Sequence, residues 1–452
     1  MRWYFAVPAL AALSFAAGCS SGSQPLPEMQ TPALRVAPGQ LHRQIGNPIK
    51  HVVIVIQENR SFDNVFAGFP GADTKMHGYM HDGTKVLLEP IAYQVRDMNH
   101  DFRTGVMDWD NGKMDGFDLN GTSGTQTIGR FAYSYLERSQ VQPYWTIASR
   151  YVLADHMFPT MFGPSYTAHL TLIAGSADIA NDVSEADFPS ASPWGCDAPA
   201  GTQTATVNVQ RVVSDGGPFP CLTRLRTMAD TLDAAHLSWK YYAPAIGTSD
   251  SGQLWSSFDA ISSVRYGPDW STHVVSPPQQ VIADAKAGRL AAVSWVVPDF
   301  LWSDHPYAGT DYGPSWVAGV INAIGQSPAW KSTAIVVVWD DWGGFYDNVP
   351  PPQRDFRGLG IRVGCLIVSP YVRPHVSHTV YEFGSILKFV EQTFGLPALG
   401  SRRAGYSDAR AKSIADSFDF RQKPRAFKVI PAPYPATFFL HHAPSLRAPD
   451  EQ

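Results

Sequence analysis

The chain has 452 residues, 44% hydrophobic and 17% charged, with 37 Gly, 36 Pro and a formal charge of -5 at pH 7. That length suits one large α/β domain or two to three average ones, and the Gly and Pro content calls for many ordered loops. The negative balance, with no run of Lys or Arg, excludes nucleic acid as a partner on electrostatic grounds.

The N-terminal segment MRWYFAVPALAALSFAAGC has one early cation, Arg2, then a short apolar run ending in small residues. It reads as an export signal, too short and too weakly flanked for an ordinary membrane span. Ala16-Ala17-Gly18-Cys19 resembles a lipoprotein processing site, so residues 1–19 are expected to be a signal peptide ending at a lipid-carrying Cys19. Cleavage by the ordinary signal peptidase is the alternative. Residues 20–47 are Ser- and Pro-rich and read as a flexible tether to a periplasmic or envelope location.

From there the chain alternates. HVVIVIQ (51–57), AAVSWVVP (291–298), TAIVVVWD (333–340) and VGCLIVSP (363–370) are β-branched runs without clean alternation, as expected of strands covered on both faces. Helical patterns at 314–327 and 382–395 lie between and after them, which predicts a three-layer α/β/α sandwich with a mainly parallel central sheet. Residues 182–275 have weaker periodicity and read as an inserted cap region, and residues 399–452 as a Pro-rich surface tail. With Cys19 removed, an oxidising compartment permits a Cys196–Cys221 bridge, while Cys365 in GCLIVSPYV reads as a buried free thiol.

Ligands bind beyond the carboxyl ends of strands in open α/β sheets. The first strand delivers Glu58 and Asn59 to that end, and the strand at 333–340 delivers Asp340 and Asp341. Three carboxylates and an amide offer hard oxygen donors, and their crowded charge calls for one divalent metal ion. In GPSYTAHL, Ser165 follows Gly163-Pro164 and opens a helix-like segment. It reads either as a plain helix cap or as a nucleophile held near a phosphate at a helix N-terminus. His100 and His305 lie in loops, where imidazoles serve to contact phosphate oxygens or protonate a leaving group.

VIVIQENRSFDNVFAGFPG, HDFRTGVMDWDNGKMDGF, GPSYTAHL, SDHPYAG and WDDWGGFYDNVPPP together resemble the bacterial phosphoesterase family of non-haemolytic phospholipases C and respiratory-burst-inhibiting acid phosphatases. The resemblance spans residues 48–398 and implies an alkaline-phosphatase-like fold, one divalent metal and a transiently phosphorylated hydroxyl. It assigns Glu58, Asn59, Asp340, Asp341 and Ser165 to the metal, Ser165 to nucleophilic attack, and His100 and His305 to the transferred phosphoryl group. Ser165, where the phospholipase branch has Thr, and Asp340-Asp341, where it has Asp-Glu, resemble the phosphatase branch. A further histidine of that branch falls at either His236 or His273.

The expectation is therefore an exported, metal-dependent acid phosphatase working through a phosphoserine. Its alternatives are a phospholipase C whose apolar approach uses Trp194, Trp255 and Trp270, and a lipid-tethered protein that binds phosphate without turnover. Arg60 and Asp63 read as a supporting salt bridge or loop brace.

Overall fold

Val52 to Ile56 are all fully buried, as an uninterrupted β-branched run requires when both faces of a sheet are covered. They belong to a computed structural model that describes residues 46–122, 127–191, 193–246 and 255–445. The export segment, Cys19 and nearly all of the tether lie outside the described residues. None of the helices among those residues is long and apolar enough to cross a membrane.

In chain order the strands that matter are β1 (His51–Gln57), β2 (Val152–Phe158), β3 (Asp178–Ala180), β4 (Val183–Glu185), β5 (Gln203–Asn208), β6 (Val213–Pro218), β7 (Trp239–Tyr242) and β8 (Val274–Val275). They continue with β9 (Val293–Val296), β10 (Thr333–Trp339), β11 (Val363–Val368), β12 (His375–Ser377) and β13 (Tyr381–Glu382). A nine-stranded central sheet runs β8-β7-β9-β1-β10-β11-β2-β12, with β13 also pairing β2. Every pairing in it is parallel except those of β11, which runs against both β10 and β2. The mainly parallel α/β sheet expected from the sequence is thus present.

The helices fall into two packing groups, as a sheet covered on both faces needs. Helix α1 (Ser165–Ala174) packs against α3 (Phe383–Phe394), whereas α2 (Gly313–Gly325) packs against α4 (Ala436–His441). Residues 182–275 divide between two places: β4, β5 and β6 join β3 in a separate antiparallel sheet, while β7 and β8 extend the central one. The C-terminal stretch is anchored more deeply than its Pro-rich composition suggests. Phe439 is fully buried, its ring centroid 5.5 Å from Trp302 and 5.4 Å from Trp316. Cys196 and Cys221, 25 residues apart, form a disulfide, and Cys365 is a free, buried thiol.

Candidate active site

β1 and β10 are paired in register up to Gln57 and Trp339, so the residues that follow, Glu58-Asn59 and Asp340-Asp341, emerge side by side. The Asp340 amide donates to the Gln57 carbonyl at 3.0 Å, and the Asn59 amide donates to Asp340 Oδ1 at 2.9 Å. Asn59 adopts a left-handed backbone, φ 46°, a conformation that Asn tolerates better than most residues. Gly343 closes over it with φ +60°, and a Cβ there would lie 2.2 Å from the Asn59 carbonyl oxygen. Only glycine permits that approach.

Ser165 is the first residue of α1, and Pro164 occupies the cap position. The hydroxyl is therefore not committed to capping. It donates to Asp341 Oδ2 at 3.2 Å and accepts from Asn59 Nδ2 at 3.1 Å. Asn59 Nδ2 also lies 2.9 Å from His100 Nε2 and 3.2 Å from Asp341 Oδ2. Ser165 Oγ and both Asp341 oxygens accept from this one amide nitrogen, which fixes the orientation of the side chain and turns Asn59 Oδ1 the other way.

That oxygen, together with Glu58 Oε2 and Asp340 Oδ2, is buried without a hydrogen-bond donor. Three orphaned buried acceptors are costly. Burial and the neighbouring Asp340 hold the Glu58 carboxyl well above the usual range, and Asp341 is raised for the same two reasons. One carboxylate oxygen of Glu58 and one of Asp340 lie within metal-binding reach of each other, and a divalent cation there would neutralise the crowded charge, so these residues fit such an ion.

His100 and His305 flank this cluster. His100 is anchored by Met98, whose carbonyl lies 2.7 Å from Nδ1, and its Nε2 lies 3.9 Å from Asp341 Oδ2. Burial opposes charge on this ring, yet the Asp341 and Asp97 carboxylates hold its pKa at about 9. His305 Nε2 lies 3.6 Å from Asp97 Oδ2, so the Asp97 carboxylate acts on both imidazoles. The residue before His305, Asp304, is fixed in turn: it accepts from Tyr144 at 2.8 Å, from Trp339 Nε1 at 2.7 Å, and from Tyr93.

Sequence reasoning missed His169. It stands one helical turn after Ser165, so both side chains share a face of α1. Its Nε2 is 2.9 Å from Glu58 Oε1 and 3.7 Å from Asp340 Oδ2, and the three form a group with metal-binding spacing. Burial pushes its pKa down to about 4, so the ring is neutral near pH 7. The two candidates raised for an extra histidine lie elsewhere. His236 is exposed, and His273 stacks on Trp239 with centroids 4.4 Å apart.

The wall of the site is aromatic. Trp255 lies 6.4 Å from His169 and 6.2 Å from His305, and Phe188 links His100 at 6.1 Å to Trp194 at 6.0 Å. Trp270 is instead engaged by Arg265, 4.5 Å from its ring. Arg60 and Asp63 do brace the loop, but not with each other. Arg60 Nε donates to the Asp304 carbonyl at 2.9 Å. Asp63 faces Arg362 Nη2 at 3.4 Å, and the same guanidinium holds Asp347 Oδ1 at 2.9 Å.

The chain matches the model of the phosphoesterase family over residues 49–397. It is 24% identical over 443 residues to phospholipase C A of Mycobacterium tuberculosis, covering 84% of this chain and 78% of that protein. Hemolytic phospholipase C of Pseudomonas aeruginosa is 23% identical over 415 residues, 82% of this chain and 56% of its own length. Among solved structures, an alkaline phosphatase superfamily protein from Vibrio parahaemolyticus superposes with a TM-score of 0.39 at 10% identity, over 82% of this chain and 72% of that one.

Proposed function

This chain belongs to the phosphoesterase family and is a phosphoric ester hydrolase, and from that premise we propose that it is an exported phosphomonoesterase of the acid phosphatase type, with Ser165 as its nucleophile. The supporting observation is the juxtaposition of Ser165 Oγ, bonded to Asp341, with the three orphaned acceptors Glu58 Oε2, Asn59 Oδ1 and Asp340 Oδ2.

Glu58, Asn59, Asp340, Asp341 and Ser165, with His169 beside them, would hold one divalent ion. When bound, that ion supplies charge neutralisation for the phosphoryl oxygens and favours the Ser165 alkoxide. The chain's own residues supply the rest. Asp341 Oδ2 accepts the Ser165 hydroxyl proton, and Asn59 Nδ2 holds Oγ in place. Ser165 Oγ forms a bond to phosphorus as the bond to the leaving oxygen breaks, and His100 or His305 delivers a proton to that oxygen. Water then cleaves the phosphoserine and restores the hydroxyl.

A second reading, phospholipase C activity, is favoured by the names of the relatives and by the aromatic wall of Phe188, Trp194 and Trp255. The deciding assay compares a chromogenic phosphomonoester with its phosphorylcholine analogue, with and without chelator, for the wild-type protein and Ser165→Ala. The proposal expects phosphomonoester preference, abolition by chelator and loss of at least about a thousandfold in Ser165→Ala. Preference for phosphorylcholine selects the phospholipase reading. Phosphate binding without turnover selects the tethered binder, and full activity in Ser165→Ala removes the nucleophile assignment.

A further inference from the structure

We propose that Asp155, His156 and His378 form a second metal site, sharing no residue with the strand-tip cluster, that takes a borderline divalent transition metal such as Zn2+. One donor atom from each of the three lies within 4.8 Å of the others. Asp155 Oδ1 is 2.9 Å from His156 Nδ1, and Asp155 Oδ2 is 2.9 Å from His378 Nδ1. Donors bound tetrahedrally to Zn2+ stand about 3.3 Å apart, so a small expansion of the cluster admits the ion.

The sheet is built open at this point. Neighbouring residues on a regular strand face opposite sides, and Asp155 and His156 would normally diverge. On one edge of β2, Ala154 pairs with Cys365 and Met157 with Val363, so two residues of β2 face one of β11. Such a bulge brings consecutive side chains to the same side. On the other edge, β12 ends opposite Ala154 and β13 resumes opposite Met157. His378 occupies that break. Both edges depart from regular pairing at the level of the cluster.

Asp73 supplies the outer layer. Its backbone amide donates to Asp155 Oδ2 at 2.8 Å, and its Oδ2 stands 3.6 Å from His156 Nε2. Without an ion, His156 Nδ1 carries the proton that Asp155 Oδ1 accepts at 2.9 Å; binding of an ion would displace that proton, and Asp73 would then face Nε2–H. Asp155 is fully buried while the His378 side chain is 61% exposed, so the site has an anchored base and an open mouth. Two imidazoles and one carboxylate suit Zn2+ better than the oxygen-dominated cluster at the strand tips does. The ion would also brace Arg362, whose Nη1 donates to the Asp155 and Asp73 carbonyls at 2.8 and 2.9 Å.

The test is Zn2+ titration of the full chain against a chromophoric chelator, in a background with Asp340→Asn and Asp341→Asn to silence the strand tips. That protein should bind one equivalent of Zn2+, and adding His378→Ala should abolish it. In the otherwise wild-type chain, His378→Ala should lose one equivalent and its share of the Zn2+-induced rise in Tm, while phosphoester hydrolysis stays at the wild-type level. This second comparison does not depend on the strand-tip variants folding. Zn2+ stoichiometry and thermal shift unchanged by His378→Ala would overturn the proposal and leave a plain hydrogen-bonded cluster.

Discussion

Arg362→Met isolates the contribution of one buried cation. The Arg362 guanidinium is fully buried, 2.9 Å from Asp347 Oδ1 and 3.4 Å from Asp63 Oδ1. It also donates to Asn348 Oδ1 at 3.0 Å and sits 4.3 Å from the Phe62 ring centre. Methionine retains much of the apolar stem and leaves the two carboxylates facing each other without a counter-ion. Removing one partner of a buried pair costs about 3–5 kcal/mol, and two stranded acids place this case at the upper end. With an unfolding entropy of about 2.1 cal/mol/K per residue, a domain of roughly 400 residues loses about 1 °C of Tm per kcal/mol, or about 5 °C here.

The loss also depends on pH. Burial already lifts Asp63 and Asp347, and Arg362 opposes that lift. In the variant both acids keep folded-state pKa values above about 3.9, their unfolded value. Folding then retains protons that the unfolded chain releases, so stability falls as pH rises above that value. Denaturant melts at pH 5 and pH 8 should show the larger deficit at pH 8. A deficit below about 1 kcal/mol, equal at both pH values, refutes the view that Arg362 is the counter-ion for both motif loops.

Three further outcomes follow from other sites. Glu185 is fully buried, has no hydrogen-bond partner on either oxygen, and is pushed up to about 8 by burial. The penalty grows between about pH 4.3 and pH 8, so Glu185→Gln should gain a few kcal/mol at pH 8 and little at pH 5 in paired denaturant melts. Cys196 and Cys221 are 25 residues apart, so replacing both with Ser should cost about 3.5 kcal/mol by loop closure, read from urea melts without reductant. His169→Gln should raise the metal concentration for half-maximal activity about 10- to 100-fold; an unchanged requirement would make the ring simple core filling.

The parts of the fold written in local pattern were legible. Continuous β-branched runs located β1, β9, β10 and β11, and the abrupt polar residues after two of them located the paired acids. Ser165 was visible as a turn residue, although only the structure shows that its hydroxyl points at Asp341 and not at its own helix. Long-range partnership was not legible. Arg362 meets Asp63 from 299 positions away, and no local signal marks it. His169 lies in a helix whose ten residues are all buried, where an imidazole reads as core. The i, i+4 spacing from Ser165 was the available clue. β7 and β8, at four and two residues, are too short for periodicity to separate from the surrounding loops.

Asn59 answers to two unrelated demands. Its left-handed backbone favours Gly, Asn or Asp, while its side chain must give a neutral donor to Ser165 and an oxygen to the opposite side. Gly supplies no side chain, and Asp adds a charge to an already crowded cluster. Only Asn meets both requirements. A library aimed at new leaving groups should hold Asn59 constant and diversify Phe188, whose ring packs 6.1 Å from His100.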